Sequence, residues 1–155
     1  MMEGERIRIY PASVAQMEQT LAAERDEELR KAYGEMLAGC LEHPADRAWY
    51  AMWIIEKKDG TRIGDLCFKG LGADGRVEIG YGVLEEQQGR GYATEAVAAA
   101  VEWALAQPGV TRVEAETDPD NKVSQRVLEK CGFKPSGIMG EEGPRFFRTR
   151  AEAFA

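Results

Sequence analysis

Two glycines bracket one arginine at Gly89-Arg90-Gly91, where an apparent strand, Val77 to Leu84, gives way to an alanine-rich helix. Without a Cβ, a backbone can adopt positive φ and approach a ligand closely. The first N–H groups of the helix then have no carbonyl partner and carry the positive end of the helix dipole. A strand–turn–helix of this kind can cradle a phosphate. The spacing excludes two common cradles. No Gly-Lys-Ser/Thr follows, so it is not a P-loop, and the glycines after Glu86 do not have dinucleotide-fingerprint spacing.

A second group of candidates lies on the strand before the turn. Alternation puts Glu78, Gly80, Gly82 and Leu84 on one face and Val77, Ile79, Tyr81 and Val83 on the other. Two glycines on one face leave room for a ligand to pass. Glu78, on that cleared face, is a carboxylate whose pKa apolar walls would raise, or one paired with a neighbouring cation or exposed on an edge. A third group is Asn121 and Ser124, which share a helix face at i,i+3 spacing. Asn121 also belongs to the helix-starting run Asp118 to Asn121. Cys131 falls on an apolar stripe with no histidine near it in sequence, and His43 precedes a proline at a helix end, so packing and capping account for them. Trp49 and Trp53 are expected to share a face of one strand.

The elements that must position these residues follow from periodicity and punctuation. Arg6 to Tyr10 reads as a first strand. Ser13 with Gln16 resembles a capping box, and helical spacing continues to Cys40 with a break expected at Gly34. The acidic run Glu24 to Glu28, Tyr33 and Glu35 read as a solvated helix face. Trp49 to Lys57, Thr61 to Lys69 and Val77 to Leu84 form a three-stranded meander, turned at Asp59-Gly60 and at Gly70 to Gly75. Tyr92 to Ala106 is a helix stopped by Pro108-Gly109. Thr111 to Thr117 is a strand, and the next helix carries the stripe Val123, Val127 and Leu128 or Cys131, ending at Gly132. Phe133 starts a further strand, Pro135 to Pro144 reads as a polar loop, and Arg145 to Thr149 as the last strand. An antiparallel meander followed by βαβ implies a mixed α+β fold, with a mostly antiparallel central sheet and helices on both faces.

Bulk properties narrow the class. A chain of 155 residues with 44% hydrophobic content is expected to form a single domain over 1–155. No apolar run reaches transmembrane length, and the first residues lack a signal-peptide pattern. Three scattered cysteines fit neither a zinc set nor a disulfide framework, which favours a cytoplasmic protein without a metal site. The net charge of −7 disfavours nucleic acid as a partner and is compatible with a cationic amine substrate.

The motifs together resemble the GNAT acyltransferase superfamily. Glu78-Ile79-Gly80-Tyr81 resembles its fourth strand, Gln88-Gly89-Arg90-Gly91-Tyr92-Ala93-Thr94-Glu95-Ala96 its pyrophosphate loop and helix, and Asn121 to Phe133 the segment flanking the pantetheine arm. Gly-Tyr-Ala-Thr-Glu-Ala and Asn-x-x-Ser-x-x-Val-Leu-Glu-Lys look most like the RimJ/RimL branch, the ribosomal-protein N-terminal acetyltransferase type.

The resemblance implies acetyl transfer from acetyl-CoA to a primary amine, a small molecule or a protein N-terminus, by direct transfer in a ternary complex. It implies pyrophosphate binding by Gln88, Gly89, Arg90, Gly91, Tyr92, Ala93 and Thr94, with Asn121 and Ser124 along the cofactor arm. Arg90 also reads as a solvated loop cation, and the Thr94 hydroxyl as bonded to its own helix. Glu78 matches the general base of some members. The family's tyrosine acid before Glu-Lys-x-Gly-Phe is Leu128 here, which leaves Ser124, Tyr81 or water as the proton donor. A non-catalytic CoA-binding or regulatory module of the same fold is the alternative, and a homodimer is compatible with the family.

Overall fold

The computed structural model describes residues 2–69, 72 and 74–149. Eight strands make one sheet in the order β1-β2-β3-β4-β5-β6-β8-β7. They are β1 (Met2–Glu3), β2 (Ile7–Pro11), β3 (Met52–Lys57), β4 (Arg62–Lys69), β5 (Arg76–Val83), β6 (Arg112–Glu116), β7 (Lys134–Met139) and β8 (Pro144–Thr149). Four α-helices accompany them: α1 (Val14–Ala23), α2 (Glu27–Glu42), α3 (Tyr92–Ala106) and α4 (Lys122–Lys130). All neighbouring strands are antiparallel except β5 and β6. The expected α+β sheet is therefore present, and this one parallel pair is joined by α3 as a βαβ unit.

Strand β3 is buried on both sides, which places helices on both faces. Trp53 and Ile55 join α3 and α4 in the larger core, while Met52 and Ile54 join α1 and α2 in the smaller one. Each such side chain stabilises the fold by about 1.5–3 kcal/mol on leaving water. The buried face of α3 is Ala96, Val97, Ala100, Val101, Ala104 and Leu105, mostly small residues that let the helix lie close on the sheet. Trp103 closes this core against Trp49, Trp53 and Phe68, with ring centroids 4.9–5.7 Å from its own.

Several expectations need correction. The break between the first two helices lies before Asp26, not at Gly34, which sits inside α2. Asp26 accepts hydrogen bonds from the N–H groups of Glu28 and Leu29, and Glu27 and Glu28 favour the helix start. One interior glycine costs only about 1 kcal/mol, too little to break the helix. Trp49 belongs to a 3-10 turn, Pro44–Trp49, before β3, so it meets Trp53 through Trp103 rather than along a strand. Val123 is exposed rather than part of the buried stripe. The expected loop from Pro135 is largely strand β7, paired with β8. Of the expected turn Gly70 to Gly75, residues 70, 71 and 73 lie outside the described residues.

The parallel pair is short, and this shapes the site. It holds only at Arg76↔Arg112, Val77↔Val113 and Glu78↔Glu114. Beyond Glu78, β5 continues along β4, while β6 continues along β8, so the strands part like a wedge. The closed end is clamped. Thr111 donates from its N–H to the Gly75 carbonyl and from its hydroxyl to the Asp74 carbonyl. Gly75 has φ +84, and a Cβ there would collide with the carbonyl of Gly109.

Candidate functional site

The open end of the wedge brings together the residues singled out in the sequence. After β5 comes a short 3-10 turn, Glu85–Gln87, then the glycine turn and α3; after β6 comes the Asp118–Asn121 run and then α4. Both helix N-termini therefore meet at the mouth.

Gly89 and Gly91 have φ +78 and +81, a backbone conformation that favours glycine. Gly91 is the N-cap of α3 and supplies no side-chain cap. Among the described residues, no backbone N–H from Gly89 to Thr94 donates a hydrogen bond within the protein. Gln88 differs: its N–H donates to the Glu85 carbonyl, and its side-chain amide donates to the Val83 carbonyl at 3.0 Å. Its role is to fasten the turn to β5. The Arg90 side chain is exposed. The Thr94 hydroxyl makes no bond to its own helix among the described residues. A concave row of free N–H groups at a helix start fits a diphosphate.

The turn is braced from behind by a residue that sequence reasoning missed. Arg6 donates from Nη1 to the Arg90 carbonyl at 2.7 Å, and its guanidinium lies 4.7 Å from the centre of the Tyr92 ring. Arg6 is also fastened to Glu95 of α3. No spacing in the chain links residues so far apart.

Across the mouth, the Tyr81 hydroxyl lies 2.6 Å from the Ser124 hydroxyl and 3.2 Å from the Ser124 carbonyl. Burial raises the pKa of Tyr81, and the Ser124 hydrogen bond opposes this in part. The phenol is thus protonated at neutral pH. Asn121 caps α4 by accepting the Ser124 N–H at 3.0 Å. Leu128 is fully buried in the main core. Thr117, just beyond β6, is buried, and its hydroxyl has no partner among the described residues.

Glu78 is ion-paired, the second of its two readings. Its Oε1 accepts from Nη2 of Arg145 at 2.8 Å, and its Oε2 lies 3.1 Å from Nζ of Lys69. Arg145 also bonds Glu114 and Glu116. Its own pKa is raised, first by the bond to Glu78. Cys131 is buried, donates to the Thr94 carbonyl, and has its pKa pushed up to about 11 by burial. His43 stacks on Tyr50 at the end of α2. No group of metal-ligating side chains is assembled among the described residues. No described helix is long and apolar enough to cross a membrane.

This sheet, with its wedge between parallel strands and a glycine turn at the mouth, matches an acetyltransferase architecture. Residues 6–134 match the family model of the acetyltransferase (GNAT) domain, and the chain belongs to that family. It is 40% identical over 83 residues to the uncharacterized N-acetyltransferase YjdG of Bacillus subtilis, covering 52% of this chain and 49% of that protein. It is 43% identical over 91 residues to the probable N-acetyltransferase YjcK of the same organism, covering 57% and 50%. The chain thus spans about half the length of the curated relatives it matches. Among solved structures, the spermidine N-acetyltransferase of Vibrio cholerae in complex with CoA and spermine superposes with TM-score 0.76 at 13% identity, over 98% of this chain and 100% of that one. A GNAT-family acetyltransferase from Bacillus anthracis gives TM-score 0.70 at 18% identity, over 97% and 98%. These last two likenesses show the fold.

Proposed function

We propose that this chain is a single acyl-CoA-binding domain that moves an acetyl group from acetyl-CoA to a primary amine. The observation that carries this reading is the free N–H row from Gly89 to Thr94 at the mouth of the β5–β6 wedge. When bound, acetyl-CoA supplies an activated acyl group as a thioester. The N–H row and the α3 dipole hold the diphosphate, with Arg90 adding charge and the Thr94 hydroxyl free to bond an oxygen. The Asn121 amide and the N-terminal turn of α4 line the cofactor arm. The unpaired edges of β5 and β6 leave space between them for that arm.

Tyr81 and Ser124 are the proton donors in this reading. Their hydroxyls share a hydrogen bond at 2.6 Å across the mouth. A protonated phenol can pass a proton to a departing thiolate while Ser124 orients it. This pair takes the role that Leu128 cannot fill. Glu78 retains the role of base on the cleared face only if the amine reaches it past Arg145 and Lys69; otherwise water on that face takes the amine proton.

The family relatives and the spermidine enzyme support an amine acceptor. The Gly-Tyr-Ala-Thr-Glu-Ala motif supports the RimJ/RimL branch, whose acceptors include protein N-termini. Three scattered cysteines support a cytoplasmic location, and the family is compatible with a homodimer. The test is to titrate acetyl-CoA by calorimetry and then follow thiol release with an amine panel. Binding with turnover is expected. Binding without turnover across the panel would favour the non-catalytic CoA-binding module, and no binding would sink the proposal.

A further inference from the structure

Past their last register pair, Glu78↔Glu114, β5 and β6 separate. That pair sets two carboxylates side by side on neighbouring strands, and like charges so placed push the strands apart. Glu116, on the same face of β6, adds a third carboxylate just beyond it. Cations on the flanks each hold one of them: Lys69 of β4 lies 3.1 Å from Glu78, and Arg112 of β6 lies 3.2 Å from Glu114. Arg76 also reaches Glu114, at 3.7 Å and from the closed end.

Among the ion pairs of the described residues, only Arg145 holds carboxylates of both strands. From β8, opposite Glu116 in register, it passes over β6 to β5. Its Nη2 donates to Glu78 at 2.8 Å and to Glu114 at 3.0 Å, while its Nη1 donates to Glu116 at 2.8 Å. The side chains of Arg145 and Glu78 are 22% and 23% exposed, and those of Glu114 and Glu116 less, so salt screens these pairs weakly. The β7–β8 hairpin fixes Glu116 from the other side. Glu142 donates its N–H to Oε2 of Glu116 at 3.0 Å, and a Cβ on Gly140 would collide with the carboxylate.

Resting on the proposed acetyl transfer, we infer that Arg145 is a positioning residue that sets the angle at which β5 and β6 part. It acts through the two strands. From Glu78, β5 leads to Tyr81; from Glu114, β6 leads through Thr117 to the α4 turn that carries Ser124. A planar guanidinium, with its donors in a fixed fork, bridges three carboxylates where a compact ammonium cannot. The gap it defines is the one that receives the cofactor arm, and the Tyr81–Ser124 hydrogen bond spans that gap.

The test sets Arg145→Met and Arg145→Lys beside Arg8→Met, which breaks a comparably buried ion pair, Arg8–Glu56, between β2 and β3. Acetyl-CoA affinity is measured by calorimetry, and amide hydrogen exchange is measured on the protein without cofactor. Arg145→Met should weaken acetyl-CoA binding at least tenfold and speed exchange in the paired segments 76–78 and 112–114 at least tenfold. Arg8→Met should leave both near the parent values, and Arg145→Lys should fall between. Parent-like affinity or exchange in Arg145→Met, the same losses in Arg8→Met, or full rescue by lysine would each overturn the inference. Should Arg145→Met fail to fold, Arg145→Lys decides it on the same two measurements. If the parent protein binds no acetyl-CoA, the acetyl-transfer reading falls, while the exchange comparison still decides the role of Arg145.

Discussion

Glu95 holds the N-terminal strand and the glycine turn at once: its Oε2 accepts the N–H groups of Arg6 and Ile7 at 3.1 and 3.2 Å, and its Oε1 pairs with Arg6 Nε at 3.0 Å. Arg6 passes this constraint on to the Arg90 carbonyl. Arg6→Ala should therefore loosen the turn and weaken acetyl-CoA binding about tenfold, the effect of losing a charge-assisted hydrogen bond. Calorimetry should show the weaker affinity, while kcat at saturating acetyl-CoA should stay near that of the parent protein.

Gly89→Ala tests the turn itself. With φ at +78 and open space around its Cα, the variant meets backbone strain rather than a clash. Stability should fall by about 1–2 kcal/mol, as expected for an L-residue held in the left-handed region. Chemical denaturation measures this loss, and acetyl-CoA affinity should fall with it.

Tyr81→Phe removes the proposed donor and spares the ring that packs on the core. In single-turnover experiments the acetyl-transfer rate should fall about 100-fold or more, with acetyl-CoA affinity little changed. A rate equal to that of the parent protein would assign thiolate protonation to water.

Thiol chemistry gives a prediction that also serves the assay. Burial raises the pKa of Cys40 and Cys67 and pushes Cys131 up to about 11. The thiolate is the reactive form, so native protein at neutral pH should react slowly with a disulfide reagent. Denaturant should release all three cysteines of the chain to rapid reaction. Fast signal in a turnover assay then reports CoA.

Asp65 should leave a mark on stability against pH. Burial raises its pKa above the usual carboxylate value, and Arg62 offsets this only in part. Between the unfolded and folded pKa values the folded state binds more protons, so stability is highest below that window and falls as pH rises through it. Asp65→Asn should remove this decline. Melting temperatures from about pH 3.5 upward, near the unfolded carboxylate pKa, measure it.

Motif-bearing segments were legible because local chemistry determines them. The Ser13–Gln16 capping box, the Gly89–Gly91 turn and the Asn121 cap each rest on residues within a few positions of one another. What escaped depends on distance or competition. Arg6 reaches Glu95 and Arg90 only after the strand and helix pack. Arg145 finds Glu78 across the parting strands, and nothing in the sequence of either residue announces it. The helix break falls at the capping Asp26 rather than at Gly34, because a satisfied helix start outweighs the small cost of one interior glycine.

The clamp at Gly75 and Thr111 gives the parting strands a fulcrum. Only three register pairs separate it from the point of divergence, and β5 then runs on about 16 Å to its end. Over such a lever, a small rotation at the fulcrum becomes a larger displacement at the tip. Substitutions at the fulcrum are therefore expected to change the spacing of Tyr81 and Ser124, whose hydroxyls lie 2.6 Å apart. Side chains around Thr111, remote from the mouth, thereby offer evolution or design a lever on its geometry.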